Sequence, residues 1–500
     1  MAQKPITIDS VLGGWSESYY LGSRGAFNVS LGIDPDYAIG QTKSSGAIVP
    51  VGYEKFADLT GYPKWIITNP KTADTYVYSS ADFIKYDANY SEASLTLPTS
   101  GAGNGAVYYN DYIYLATPTD IARYGQLSGT PSLTNNAWTG ATLGSLTALT
   151  NTTYPSISGT SIPNHPMFSH SDNSVYVGDV VSGKGVLHRI ITNATGTNDG
   201  SAFNVIDFPY GYYPTCIGNF GKDIAVGCIQ GSANATTIQG EAKMFLWEVT
   251  NTDTFYDEVP LGDPLVTAIR NINGNLYVWS GNLTSHRVRI YLGNGYFKEV
   301  CSVDDCPPPF QGAVDSEKGK IYWGGSTTYP ESTASVFSYG STSNLGMGLH
   351  NVVRSTATGA NARITALKAI QSNKLILGVG SDSEKQLEKY SATASIDSTF
   401  RTMVFPINRR FQIEMIKLSL GGSVTDSTVI TPKVYVDDGS DSEALKVINS
   451  TNFSNSERII KLSSTKIGNN NFFLDFAFSG TTSLPILLPI TVYFKLLDNE

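Results

Sequence analysis

The stretch from Leu265 to Ser280, LVTAIRNINGNLYVWS, decides the fold class of this chain. Two apolar runs flank the dipeptide Asn273-Gly274, and Asn-Gly between apolar runs is the strongest short-range signal for a β-hairpin. The run after the turn is rich in Leu, Tyr, Val and Trp, which favour strands over helices. The sequence therefore predicts a two-stranded hairpin at residues 265–280.

The second half of this hairpin recurs along the chain as a short phrase, in which a polar turn is followed by an apolar, usually Tyr-bearing strand. We find seven copies, spaced by roughly 37 to 62 residues, a range that fits four-stranded propeller blades. They are DTYVYSS (Asp74–Ser80), DYIYLAT (Asp111–Thr117), NSVYVGD (Asn173–Asp179), KDIAVGC (Lys222–Cys228), GNLYVWS (Gly274–Ser280), GKIYWGG (Gly319–Gly325) and NKLILGV (Asn373–Val379).

The repeat predicts an all-β chain whose main body is a β-propeller of about seven blades at residues 46–397. One such unit cannot bury both of its faces, so neighbours must stack around an axis. A count of six to eight blades fits the spacing. The phrase lacks the Trp-Asp of WD40 repeats and the Gly-Gly of kelch repeats, and a string of unrelated β-sandwiches is the alternative.

The two ends of the chain depart from the repeat. Residues 398–500 are predicted to form a C-terminal antiparallel β-sandwich. There Phe411, Ile413 and Met415 alternate with polar residues until a change of phase that indicates a bulge, and the residues Phe472, Leu474, Phe476 and Phe478 share one strand face. Residues 1–45 are predicted to be an extended arm that docks on its own propeller or on a neighbouring subunit.

Composition argues against several classes of function. Charged residues make up 15% of the chain and the formal net charge is −9, so a phosphate-binding surface for nucleic acid is not expected. The N-terminus lacks the apolar segment of a secretory signal, and no window is long and apolar enough to span a membrane. We expect a chain that folds in a cytoplasm.

Catalytic motifs are missing as well. The five histidines are scattered, and the sequence has no Gly-x-Ser-x-Gly elbow, no phosphate-binding loop and no dinucleotide fingerprint. Cys216, Cys228, Cys301 and Cys306 do not follow a metal-binding spacing and are interpreted as free thiols. The sequence thus predicts a protein that is not an enzyme, with no catalytic, cofactor-binding or metal-binding residues and no cofactor.

Four features leave alternatives open. The acidic loop at Asp437–Glu443 is either a solvated hairpin turn or a calcium site, and Cys301–Pro309 is interpreted as a stiff loop at a blade edge. The tyrosines of Tyr108–Tyr114 and Tyr210–Tyr213 either pack in the core or contact a ligand. Paired carboxylates in the central channel would indicate a glycan-cleaving enzyme.

Taken together, the segment Leu31–Tyr37 leading to Ser45–Pro50, the degenerate Tyr-rich blades, the few charges and the appended sandwich resemble the β-propeller virion proteins of tailed bacteriophages, in particular minor structural proteins and the tail-nozzle class. The resemblance implies a rigid tail component, located in the virion tail and assembled in the host cytoplasm. Its partners would be copies of itself and neighbouring tail proteins. A host-surface glycan or receptor-binding role is the alternative; specific nucleic-acid binding and a membrane span are not expected.

Overall fold

The computed structural model describes residues 4–10, 14–15, 26–34, 47–99, 101, 103–139, 149, 156–157, 160–161, 165–191, 200–231, 240–249, 254–328, 332–340, 348–371 and 374–497. Within these ranges the chain forms 43 strands and one 3₁₀ turn. No helix in the described part is long and apolar enough to cross a membrane.

Five strands precede the first repeat. They are β1 (Lys4–Ile8), β2 (Gly14–Trp15), β3 (Ala26–Leu31), β4 (Ala47–Ile48) and β5 (Tyr53–Asp58). The first four join the sheets formed by the C-terminal residues, whereas β5 joins the last repeat.

Seven four-stranded antiparallel sheets, here called blades 1 to 7, follow along the described chain. Blade 1 contains β6 (Pro63–Thr68), β7 (Thr75–Ser79), β8 (Phe83–Tyr86) and β9 (Glu92–Ser94). Blade 2 contains β10 (Gly105–Tyr109), β11 (Tyr112–Ala116), β12 (Ile121–Gly125) and β13 (Ser132–Thr134). A separate short hairpin follows, with β14 (Ser156–Ile157) and β15 (Thr160–Ser161). Blade 3 contains β16 (Met167–His170), β17 (Ser174–Val181), β18 (Lys184–Ile191) and β19 (Gly200–Tyr210).

The remaining blades have the same strand order. Blade 4 contains β20 (Tyr212–Phe220), β21 (Asp223–Gln230), β22 (Lys243–Trp247) and β23 (Asp257–Pro260). Blade 5 contains β24 (Leu265–Ile272), β25 (Asn275–Gly281), β26 (His286–Gly293) and β27 (Tyr296–Val303). Blade 6 follows a 3₁₀ turn (Gln311–Ala313) and contains β28 (Val314–Glu317), β29 (Lys320–Thr327), β30 (Thr333–Tyr339) and β31 (His350–Arg354). Blade 7 contains β32 (Arg363–Gln371), β33 (Lys374–Gly380), β34 (Lys385–Tyr390) and, outermost, β5.

The prediction of a propeller with about seven blades is confirmed. Each of the seven copies of the phrase supplies the second strand of one blade, from β7 in blade 1 to β33 in blade 7; only Asn373 of the last copy lies outside the described residues. The hairpin at 265–280 forms as predicted, with positive φ at both Asn273 and Gly274, as a type I′ turn requires.

The ring closes through the N-terminal strand β5. It pairs antiparallel with β34, with Tyr53 opposite Tyr390 and Asp58 opposite Gln386. The innermost strand of blade 7, β32, in turn contacts the innermost strand of blade 1, β6. Blade 7 is therefore built from both ends of the propeller sequence, so opening the ring requires breaking a backbone ladder.

The C-terminal sandwich is also confirmed. Its strands are β35 (Ile396–Thr402), β36 (Phe405–Pro406), β37 (Phe411–Leu420), β38 (Thr428–Val436), β39 (Asp441–Ala444), β40 (Ile459–Ser463), β41 (Ile467–Gly468), β42 (Asn471–Gly480) and β43 (Ile486–Leu496). The predicted bulge lies between Ile413 and Met415. The residues Phe472, Leu474, Phe476 and Phe478 are all buried in the core of the sandwich.

The extended arm predicted for residues 1–45 is wrong where the structure describes it. Strand β1 pairs with β43, and β3 pairs with β35, so both belong to the sandwich sheets. Phe27 and Ile8 are buried in the sandwich core, which explains why this segment folds back. Strands of two to six residues carry too little alternation to be recognised without their partners.

Contacts through blade 6 join the sandwich to the propeller. The ammonium group of Lys320 lies 2.7 Å from a carboxylate oxygen of Asp34, and both side chains are buried. Arg354, at the end of β31, forms an ion pair of 2.6 Å with Asp397. The ring of Phe27 packs on His350 with 4.9 Å between centroids. One buried charge pair, one partly exposed ion pair and one ring contact therefore join the sandwich to the propeller.

Candidate functional site: the central channel

A cavity of about 520 Å³ lies where the innermost strands of all seven blades converge. Its wall can be ordered by strand register. In each blade, the fourth residue of the phrase pairs with one residue of the innermost strand. These seven innermost-strand residues form one level of the cavity wall, here called the tier. In blade order they are Ile66, Val107, Phe168, Gly218, Arg270, Asp315 and Lys368.

This tier is uncharged on one side and charged on the other. Arg270, Asp315 and Lys368 occupy the same level of three consecutive blades. Asp315 accepts a hydrogen bond from Arg270, a second from the Lys368 ammonium group at 2.9 Å, and a third from the Ala369 amide at 2.9 Å. Burial alone would raise the pKa of Asp315, but the charges of Arg270 and Lys368 outweigh it, and the pKa lies below its usual value. The carboxylate is therefore ionised at neutral pH.

The next level of the wall lies one residue nearer the turn between the first two strands of each blade. Polar side chains line the cavity at this level from Tyr108, Ser169, Asn219 and Asn271, and Ile67 of blade 1 lines it with an apolar one. The amide oxygen of Asn271 accepts a hydrogen bond from Gly274 at 3.1 Å. These groups add neutral donors and acceptors on the open side of the charged tier.

The opposite end of the channel is closed by the segment Cys306–Ala313, here called the plug. Gln311 crosses to blade 4, donating to the Ile217 carbonyl at 2.7 Å and accepting from the Ile217 amide at 3.1 Å. Gly312 lies against blade 1, where a Cβ would come within 2.0 Å of the Lys64 carbonyl oxygen, so no side chain fits there. Gln311 and Gly312 form the floor of the cavity.

The prediction that Cys301–Pro309 is a loop at a blade edge is therefore wrong for its second half. Pro307, Pro308 and Pro309 have no N–H group to satisfy, and their carbonyls accept hydrogen bonds from the propeller interior. Arg363 donates to the carbonyls of Pro307 and Pro308, the former at 3.0 Å. Thr267 donates to Pro309 at 2.6 Å. A proline-rich segment can thus be buried without leaving unpaired amides.

His286 anchors the start of the plug. Its Nδ1 lies 2.7 Å from the Cys306 carbonyl and its Nε2 accepts from the Trp323 indole at 2.9 Å, which assigns the proton to Nδ1. The pKa of His286 is lowered to about 4, mainly by burial; the hydrogen bond to the Cys306 carbonyl opposes this decrease and the positive charge of Arg363 adds to it. The ring is therefore neutral at physiological pH and serves as a structural link.

Threonine hydroxyls at β-bulges join neighbouring blades around the channel. Thr215 of blade 4 donates to Val266 of blade 5, and Thr365 of blade 7 donates to Pro63 of blade 1, both at 2.5 Å. Each threonine is the extra residue at a register shift in its innermost strand. The bulges supply direct hydrogen bonds between blades in addition to apolar packing.

The residues singled out from the sequence are mostly structural. The two ring nitrogens of His165 each lie 3.1 Å from a backbone carbonyl oxygen, and His188 contacts Asp179 at 3.1 Å. Tyr112 and Tyr114 are buried in the core, whereas Tyr210 is exposed. The cysteines are free thiols; three are buried and Cys301 is half-buried.

Residues Asp437–Ser440 of the acidic loop form the turn between β38 and β39, as one of the two interpretations predicts, and Asp441–Glu443 lie in β39. Its carboxylates are bound by nearby donors: Asp437 accepts from the amides of Asn469 and Asn470, and Asp441 pairs with Lys466. Within the described residues no group of three or more His, Cys, Asp or Glu side chains is placed to hold a metal ion.

Sequence reasoning missed Arg270, Asp315 and Lys368. The signal that would have found them is positional. When the seven phrases are aligned, the innermost-strand residues that pair with their fourth positions all lie at one level of the ring. In three neighbouring blades that residue is charged.

The described part of the chain forms a seven-bladed β-propeller and a β-sandwich. Solved structures similar to it include the Neurospora crassa Pan2 WD40 domain, with 7% identity, a TM-score of 0.41, and coverage of 68% of this chain and 95% of that one. Another is the extracellular domain of the putative one-component system BT4673 from B. thetaiotaomicron, with 12% identity, a TM-score of 0.43, and coverage of 79% and 47%. No protein-family description and no curated protein matches the sequence.

Proposed function

We propose that this protein is a non-catalytic structural component of a virion tail, which acts by assembling with copies of itself and with neighbouring tail proteins. The observation that carries the proposal is the interlocking of its two bodies. The chain starts in the sandwich, closes blade 7 with β5, runs through all the blades and returns to the sandwich at Ile396. A chain fixed at both ends of the ring makes a stiff unit, which is what a scaffold under load needs.

The side chains that line the channel cavity favour a structural role over a catalytic one. Among the described residues that line the cavity, Asp315 is the only carboxylate, and it is bound by two cations. Glycoside cleavage ordinarily uses two carboxyl groups about 5 to 10 Å apart, one of them protonated. An ionised carboxylate held between Arg270 and Lys368 does not supply that chemistry.

A surface suited to contact between copies lies on blades 4 and 5. Tyr256, Leu292 and Tyr296, here called the blade 4–5 patch, are each at least half exposed. Tyr256 precedes β23, and the other two flank the turn between β26 and β27, so all three lie at the same end of the propeller as the open side of the cavity. Exposed apolar side chains grouped at one end of a protein mark an interaction surface.

The assembly role is tested by light scattering on the purified full-length protein with the double substitution Leu292→Ser and Tyr296→Ser. The wild type is expected to form a defined oligomer at micromolar concentration, and the double variant to shift toward the monomer. Leu283→Ser is the matched control, because Leu283 is more than half exposed in the same blade but at its opposite end. A monomeric wild type that hydrolyses polysaccharides would overturn the proposal.

A further inference from the structure

We propose that the open side of the channel cavity binds the terminal acidic sugar of a glycan, with the sugar carboxylate held by Arg270 and Lys368. This inference concerns ligand binding by a single chain and does not depend on assembly. It rests on the charge of the wall, on unused hydrogen-bond donors, on the polar level above them and on the closed floor.

The charge of the wall differs in sign from that of the protein. The charged residues of the lining are Arg270, Lys368 and Asp315, which sum to +1, whereas the whole chain has a formal charge of −9. A positive cavity in an acidic protein attracts small anions. The lining therefore selects for a ligand with one negative charge.

Both cations retain donors. Arg270 uses Nη1 for the Val314 carbonyl at 3.1 Å and Nη2 for Asp315, which leaves part of its five N–H groups without a partner among the described residues. The Arg270 side chain is 38% exposed. That of Lys368 is 27% exposed and forms one ion pair, with Asp315, among the described residues. A guanidinium and an ammonium group with free donors on one cavity wall fit a carboxylate.

The rest of the wall fits the body of a sugar. On the uncharged side of the tier, Val107 and the half-buried Phe168 present apolar surface, against which the C–H face of a pyranose packs. On the open side, Ser169, Asn219 and Asn271 offer neutral hydrogen-bonding groups for hydroxyls. A simple carboxylate such as acetate would use the cations and leave the polar level unpaired.

The plug determines which part of a glycan can enter. Gln311 and Gly312 close the cavity, so a polysaccharide cannot thread through the channel. A volume of about 520 Å³ is at the small end of the range for ligand pockets. The site therefore favours the end of a chain over an internal residue.

Titration calorimetry and ligand-observed NMR on the full-length protein test the site, with glucuronate as the probe and glucose and acetate as comparisons. Glucuronate is expected to bind saturably and at least about tenfold more tightly than either, because only it uses both the cations and the polar level. Lys368→Gln should weaken glucuronate binding about tenfold, since one charge-assisted bond is lost.

A second variant separates binding from folding. Asn219→Trp fills the cavity without touching the ion cluster and should abolish glucuronate binding while the far-ultraviolet spectrum stays that of the wild type. Lys222→Gln removes an exposed lysine outside the cavity lining and should leave affinity unchanged. Equal binding of acetate and glucuronate, absence of saturable glucuronate binding, or glucuronate binding unaffected by Asn219→Trp would each overturn the proposal. None of these outcomes depends on the oligomeric state.

Discussion

Phe310 is the residue through which the plug should contribute most to stability, and Phe310→Ala is the substitution that tests it. The ring is 3% exposed and packs against Val180, Tyr213 and Leu265 from blades 3, 4 and 5. The Arg363 guanidinium lies 5.0 Å from the ring centroid. Truncation of a buried Phe to Ala costs about 3–5 kcal/mol. Loss of the cation–π contact adds about 1 kcal/mol.

Loss of the contact between Phe310 and Arg363 is costly because of how Arg363 is buried. Arg363 is fully buried, and its Nε and Nη1 atoms have no hydrogen-bond partner among the described residues. Its charge is thus stabilised by the proline carbonyls and by the face of Phe310. Removing the ring leaves a buried cation with less compensation, which is more costly than losing an apolar contact alone. We expect Phe310→Ala to lower the free energy of unfolding by about 4–6 kcal/mol.

The assay is urea unfolding followed by tryptophan fluorescence. Five of the six tryptophans, Trp65, Trp138, Trp247, Trp279 and Trp323, lie in the propeller sequence, so the signal reports mainly on that body. Leu283→Ala, at an exposed position of blade 5, is the control and should change stability by less than about 0.5 kcal/mol. A loss of less than about 1 kcal/mol for Phe310→Ala would refute the view that the plug is a structural part of the ring.

Three further substitutions test other parts of the account. Burial holds the pKa of His286 near 4, so below about pH 6.5 the unfolded chain binds a proton that the folded chain does not. Stability should fall by about 2 kcal/mol between pH 7.5 and pH 5, and His286→Leu should remove this part of the pH dependence in urea titrations at the two pH values. Tyr53→Ala removes a buried ring that packs on Tyr390 where β5 closes blade 7, and should lower the urea midpoint by the equivalent of about 3 kcal/mol; a shift below about 1 kcal/mol would contradict closure by β5. Thr365→Val deletes the hydroxyl that bonds blade 1 and should cost about 1–2 kcal/mol in the same assay, whereas Thr393→Val at an exposed turn should cost nothing measurable.

The propeller was predictable because its signal is local and repeated. Each phrase contains a turn and a strand that sits next to it in sequence, as in Asn273-Gly274 followed by Leu276 to Ser280, and seven copies reinforce one another. The strand faces of the sandwich were predictable for the same reason, since Phe472 to Phe478 alternate within a single strand.

The features that were missed depend on distant partners. Strand β1 is recognisable only beside β43, which lies at the other end of the chain. In the sequence the plug resembles an exposed proline-rich loop, because the residues that donate to its carbonyls, Arg363 and Thr267, belong to other segments of the chain. The charged tier of the channel likewise draws Arg270, Asp315 and Lys368 from three blades, and no single segment carries its pattern.

Cryo-electron microscopy of the purified full-length protein tests the central claim most directly, because it shows both the architecture and the association of copies. We predict symmetric assemblies in which each copy is a closed seven-bladed ring with its centre closed by the plug and with a fixed sandwich. Density from a neighbouring copy should cover the blade 4–5 patch. Single copies with an open channel and sandwiches at variable angles to the ring would contradict it.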